Sequence, residues 1–360
     1  MSAPVSWPIA PGRRLVRGHH ATPVDPREPL EIALPRRGRD ALDFQLHSRP
    51  FRPTRPDEIP APALPALEAT CGPLHLDRLF VVPRTTRLIA HNRCVITPAE
   101  VLAFGDEAVG LWIDVGPAGR VLSVPVDGLV AVDDRRILLH GRLRLVADTC
   151  DLVVRYGTVS QEALEENLSV LRRRMATGPL PVEPGFVWPT AKGAGMGQAD
   201  LPFKWRLLLG NPRVRPDRDE PVVVAVGEVA EIRPRDRRLP SGVAVLGPRE
   251  LVIATEPAEL IDCARYGVDL VAVPRRRLDA LAWDGRSLTV FPSRDGTASG
   301  GAAGHAAGPI SLALDGHLVE AMRRAFGSAV RWAKEPPSSP SSGELGSGWF
   351  RRAARLPLTR

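Results

Sequence analysis

From Leu76 onward the chain is cut into short runs rich in Val, Leu and Ile, each bounded by turn-forming residues. The runs LFVVP (79–83), GLWIDV (110–115), RVLSVP (120–125), ILLHGRLRLV (137–146) and DLVVRY (151–156) read as a meander of antiparallel strands. Then the period changes. In TVSQEALEENLSVLRRRMATG, Leu164, Leu168, Leu171 and Met175 fall on one helical face. Thr158 and Gln161 have the spacing of a capping box, with Ser160 as a rival cap. Glu162, Glu165 and Glu166 come early and Arg172 to Arg174 late, as the helix dipole favours.

The same order returns. PVVVAVGEVAEI (221–232), GVAVLG (242–247), ELVIAT (250–255), VDLVAVP (268–274), RLDALAW (277–283), SLTVF (287–291) and ISLAL (310–314) are again strand-like. Asp315 is the expected cap of GHLVEAMRRAF, with Val319, Met322 and Phe326 on one face and Gly327 as the stop. Three local matches are colinear. CVITPAEVLAF (94–104) returns as AVLGPRELVIA (244–254), where Val95, Pro98 and Glu100 become Val245, Pro248 and Glu250. SVPVDGLVAV (123–132) answers AVPRRRLDAL (272–281), pairing Pro125 with Pro274, Leu129 with Leu278 and Ala131 with Ala280. Leu171, Arg172 and Arg173 answer Met322, Arg323 and Arg324. The three offsets are 150, 149 and 151 residues, so the expectation is a duplicated unit.

Such a unit is mainly β: a curled sheet leaves an open corner that an amphipathic helix plugs with its apolar stripe. The segments 76–176 and 203–332, with their VP-x-x-x-L-x-A strand boundaries and the helices ALEENLSVLRRRM and HLVEAMRRAF, resemble bacterial pleckstrin-homology-like (PH-like) domains. The resemblance implies two tandem PH-like bent sheets or barrels, each closed by a C-terminal helix, and no catalytic residue. It also implies an anion or lipid loop after the first strand. In the second copy that loop is RPRDRRLPSG, offering Arg233, Arg235, Arg237 and Arg238 as a guanidinium clamp. Asp236 interrupts the cluster, so a solvated turn is the competing reading. The corresponding stretch of the first copy, PRTTRLIAHNR, is thinner still.

Outside the two copies the texture is different. Residues 1–70 hold 13 Pro and ten Arg without a period and read as a disordered arm, with EIPAPALPAL (58–67) its most polyproline-like piece. Residues 177–202 and 335–348 read as Pro/Gly-rich linkers. The tail 349–360, WFRRAARLPLTR, offers Trp349, Phe350, Arg351, Arg352, Arg355 and Leu356 as a tethered docking segment for an acidic groove or an anionic membrane.

Sites of chemistry are hard to find. All but three of the 48 cations are Arg (the lysines are Lys192, Lys204 and Lys334), acidic residues are interspersed among them, and the net charge of +7 forms no stripe. A nucleic-acid partner is therefore not expected from charge alone. Cys71, Cys94, Cys150 and Cys263 form no C-x-x-C and read as buried thiols of a cytosolic chain. The glycines of KGAGMG (192–197) lack the strand and helix that a dinucleotide fingerprint requires. No metal or cofactor signature stands out. Asp133 and Asp134 in AVDDRRIL are placed at a hairpin turn, and Trp112, Trp205 and Trp283 in core or rim packing. The expected function is a non-catalytic interaction or scaffold protein without cofactor. It would bind a protein partner by a sheet edge or the tail, at or near the inner membrane face. The alternatives are a ligand-binding protein or enzyme with a pocket between the repeats, and an Arg-mediated nucleic-acid binder.

Overall fold

The computed structural model describes residues 30–33, 49–90, 93–137, 140–158, 161–178, 204, 205, 208, 222–227, 242–256, 267–293, 309–314 and 316–333. The first half contains β1 (Leu30–Ala33), α1 (Ala63–Cys71), β2 (Leu79–Val82), β3 (Thr85–Ala90), β4 (Arg93–Thr97), β5 (Glu100–Phe104), β6 (Ala108–Ile113) and β7 (Arg120–Pro125). It continues with β8 (Leu129–Ile137), β9 (His140–Ala147), β10 (Leu152–Gly157) and α2 (Gln161–Met175). The second half contains β11 (Val223–Val226), β12 (Gly242–Leu246), β13 (Glu250–Thr255), β14 (Gly267–Pro274), β15 (Leu278–Trp283) and β16 (Ser287–Pro292). It ends with β17 (Ile310–Ala313), α3 (Gly316–Phe326) and β18 (Trp332–Ala333).

The chain is mainly β, in four sheets ordered β2-β5-β6-β7, β1-β4-β3, β10-β9-β8-β14-β13-β12-β11 and β17-β16-β15-β18. Among the described residues none closes into a barrel. The seven-stranded sheet joins the halves, because β8 pairs antiparallel with β14 from Val132 opposite Ala272 to Ile137 opposite Gly267. Both its faces are covered. On one face Val132, Leu145, Val245, Val252 and Ala272 pack with Leu164, Leu168, Leu171 and Met175 of α2 and with Phe80 and Leu111 of the first sheet. On the other, Ala244, Ile253, Val271 and Val273 meet Leu281, Val290 and the apolar stripe of α3. A strand buried on both faces loses its alternation, which is why GVAVL and ELVIA are apolar at nearly every position. One core therefore contains residues of both halves, so the two expected units do not pack around separate cores.

The two halves repeat in detail. Pro125 and Pro274 end β7 and β14, and each leads into a 3-10 turn, Val126–Gly128 or Arg275–Arg277. The first N–H of each turn donates to the carbonyl just ahead of the neighbouring strand, Val126 to Glu107 (2.8 Å) and Arg275 to Arg249 (2.7 Å). Each following strand carries a bulge at the same place, between Leu129 and Ala131 in β8 and between Leu278 and Ala280 in β15. Asp148 N–H closes on Gly128 O at 3.0 Å and Ser293 N–H on Arg277 O at 2.6 Å. The helices align as well, Leu168, Leu171 and Met175 being buried like Val319, Met322 and Phe326. The match between residues 94–104 and 244–254 is out of step with this order. It lays β5 against β13, whereas the hydrogen bonds to Glu107 and Arg249 make β6 the counterpart of β13. The shared Pro-x-Glu there is a local resemblance of two strand starts.

Several expectations change. Part of the expected arm is ordered: the stretch taken as polyproline-like forms α1 from Ala63, whose Leu67 is fully buried on Val81, Val101 and Trp112. Pro62 caps this helix and Pro65 lies in its first turn, where backbone N–H groups have no intrahelical acceptor to lose. ILLHGRLRLV is the end of one strand and most of the next, since β8 stops at Ile137 and β9 starts at His140. PRTTRLIAHNR contributes β3 and the first residue of β4, two strands that pair as a hairpin from Thr85 opposite Thr97. Cys71 is buried as expected, and burial raises its thiol pKa, but Cys150 is exposed.

Candidate functional site

Asp133 and Asp134 do not sit in a turn; they lie in the middle of β8, opposite Arg144 and Leu143 of β9. Strand alternation sends them to opposite faces. Asp134 points beneath the start of α2, where Arg136 Nε donates to its Oδ2 (2.8 Å) and the Tyr156 hydroxyl donates to its Oδ1 (2.7 Å). Arg136 Nη1 reaches on to Gln161 Oε1 (2.9 Å) and Glu165 Oε1 (2.7 Å). Gln161 is therefore engaged by Arg136 where a capping box was expected; Ser160 lies outside the described residues, and so does Asp315. Gly141 completes the arrangement: Tyr156 lies directly opposite it, and its ring occupies the space a Cβ there would need. Asp134, Arg136 and Tyr156 are 5%, 6% and 5% exposed, and burial raises the phenol pKa far above its ordinary value. A buried network of this kind ties β8 to the start of α2.

On the outer face burial raises the Asp133 pKa, opposed by Arg142 and Arg144. Arg135, Arg142 and Arg155 stand opposite one another across β8, β9 and β10. Arg135 meets Asp269 at 3.3 Å and Arg144 meets Asp151 at 2.7 Å.

A cavity of about 240 Å³ opens beside α2, lined in part by Arg52, Asp77, Arg78, Glu166, Asn167 and Arg174. Several of its charged groups are paired with one another. Arg52 Nη2 donates to Glu166 (2.6 Å) and to Ala163 O (3.1 Å), and Asn167 donates to Asp77 O (3.1 Å). Arg78 and Arg174 both bind the Asp106 carboxylate, holding its pKa below the usual range. This cavity lies within the first half. Among the described residues the halves are tied together by a bidentate Arg172–Glu250 pair (2.7 and 3.2 Å) and by Arg276 Nε donating to Met175 O at 2.9 Å. The described residues contain no cluster of His, Cys, Asp and Glu able to hold a metal.

Sheet edges are the remaining reactive feature, since an edge strand carries unpaired N–H and C=O groups. Among the described residues β7, β10 and β17 each have one edge without a strand on it. β15 is covered on its second edge only at Leu281 and Ala282, by the two residues of β18 running parallel. Strand bounds were readable in the sequence, but which edges stay open follows from sheet order alone.

Arg233, Arg235, Arg237 and Arg238 lie outside the described residues, as do the tail residues Trp349, Phe350, Arg351, Arg352, Arg355 and Leu356. The same is true of KGAGMG and of the linkers 179–202 and 335–348. Trp112 and Trp205 are each 1% exposed, and Trp283 is half-buried against the second core. No helix of the described residues is long and apolar enough to cross a membrane. Comparison with family models, curated proteins and solved structures finds no match.

Proposed function

We propose that this chain is a non-catalytic interaction protein built from two PH-like units, arisen by duplication, and that it takes an extended segment of a protein partner onto an open sheet edge. The observation that carries this reading is that, among the described residues, β7 ends its sheet and β15 is covered on its second edge by the two residues of β18. The repeated 3-10 turns, bulges and closing helices support the duplication. Arg233, Arg235, Arg237 and Arg238 and the 349–360 peptide are the proposed auxiliary contacts, through which the protein would touch an anionic membrane at the inner face.

Proline placed in turn at Val121 and Leu122 tests the edge. Successive residues of an edge strand point their N–H alternately inward and outward, so one of the two substitutions spares the fold and removes an outward donor. The variant with unchanged melting temperature is expected to capture its partner from cytosol at least tenfold less well, while deletion of 336–360 lowers binding to phosphatidylserine vesicles. Capture unaffected by either proline overturns the edge reading.

A further inference from the structure

We infer that β7 and β15 are complementary edges and that the chain associates head to tail with a second copy of itself, β7 of one copy adding antiparallel to β15 of the next. The inference rests on the edge reading above and names its partner. The interface already exists once inside the chain. β14, the counterpart of β7, pairs with β8, the counterpart of β15. Each chain thus makes this junction internally, and among the described residues the corresponding strands lie at either end: β7 is the terminal strand of its sheet, and β15 carries the two-residue β18 on its far edge.

The internal register transfers directly. Val132 faces Ala272 and Arg135 faces Asp269 within the chain. With Pro125 equated to Pro274 and Leu129 to Leu278, Leu281 would face Ser123 of the second copy, and Asp284 would face its Arg120. Inside the chain the last of these positions is an ion pair, Arg135–Asp269 at 3.3 Å. Between copies the same position brings together Arg120 and Asp284, the residue just past the end of β15, opposite charges with their signs exchanged. Both are exposed, and Asp284 Oδ1 also accepts from the N–H of Arg286 (2.8 Å) and Ser287 (2.7 Å) in its own turn. The flanking turns agree. Arg276 of the 3-10 turn before β15 meets Asp127 of the turn after β7 within one chain at 3.4 Å, and would meet the neighbour's Asp127 across the new junction.

β15 ends at Trp283 where β8 runs on to Ile137, so the external ladder is the shorter of the two. Segment 331–333 also occupies the position of the incoming strand, with Leu281 N–H donating to Arg331 O at 2.9 Å. It acts as a strap that the second copy must displace, and the association is weak and gated. Because the contact is heterologous, it adds copies in series and does not stop at a symmetric dimer.

Sedimentation velocity of the full-length chain over increasing concentration tests this. The expected result is a mass-dependent series of species, strengthened by Ala333→Pro, which loosens the strap. Arg120→Glu or Asp284→Lys alone should weaken it about tenfold, the scale of one interfacial charge pair. The decisive arm mixes Arg120→Glu with Asp284→Lys: each β7 edge of one variant then meets an oppositely charged β15 edge of the other, and the mixture regains association as a series in which the two variants alternate. A chain that stays monomeric even as Ala333→Pro overturns the inference, as does a closed dimer indifferent to Arg120→Glu. Should such a chain still lose a captured partner when β7 receives its outward-facing proline, the edge reading survives and only self-association falls. If association persists while that proline variant matches wild type in both assays, both fall.

Discussion

Beneath α2 the seven-stranded sheet presents Asp134, Arg136 and Tyr156; the corresponding positions of the second half hold Trp283, Gly285 and Leu314. The correspondence follows the repeated bulge, and Leu314 N–H meets Arg286 O (3.4 Å) as Tyr156 meets Gly141. One scaffold therefore closes in two ways. α3 is held by apolar burial, with Leu318, Val319, Met322 and Phe326 all fully buried. α2 adds to a similar stripe a row of directional contacts, Gln161 and Glu165 to Arg136, Glu166 to Arg52, Arg172 to Glu250 and Arg174 to Asp106. The position of each helix accounts for the difference. α3 covers strands of its own half, whereas α2 lies across β8 and β14, where apolar contact alone would fix its register loosely. Hydrogen bonds to particular partners in both halves specify one arrangement, at a desolvation cost that an apolar plug avoids.

That contrast can be broken by substitution. Phe326→Ala should cost about 3–5 kcal/mol, the range for emptying a buried aromatic site, read from urea unfolding. Arg136→Met strands Asp134 and Glu165 in a low-dielectric site and should cost about 3 kcal/mol. Adding Asp134→Leu to it, which imitates the apolar floor of the second half, should recover most of that loss. A double variant as unstable as the single one would show that the two floors are not interchangeable. Tyr156→Phe leaves one buried carboxylate oxygen without its donor and should cost about 1–2 kcal/mol.

The smallest effect belongs to Asp133. Burial raises its folded pKa, so the native state binds this proton more tightly than the unfolded chain does. The ionised form then opposes folding above the folded pKa. The penalty shrinks as pH falls through that value, and none is left below the unfolded pKa of about 3.9. Asp133→Asn should accordingly raise the melting temperature slightly near pH 7 and leave it unchanged near pH 3. A loss of stability at neutral pH would mean that Arg142 and Arg144 outweigh burial.

Much of the secondary structure was legible because it is a local matter. α2 and α3 begin and end near their periodic faces, and RVLSVP, ELVIAT and VDLVAVP are strands almost to the residue. Where reading by composition failed, a neighbour distant in sequence had intervened. Proline-rich residues 62–65 start a helix because the apolar face of the first sheet lies beneath it. Asp133 and Asp134, turn residues by type, stand in a central strand because Arg136, Tyr156 and two arginines of β9 receive them. Tyr156 opposite Gly141 was the one signal that could have found this network, and it requires knowing the register of β9 and β10.

The local pattern of this chain dictates its strands, its two amphipathic helices and their order, since each depends on neighbours a few residues away. It could not dictate that β8 and β14, more than a hundred residues apart, would lie side by side. Pairing of that kind depends on which edges meet in space and on which faces are left to cover them, and those are properties of the assembled sheets.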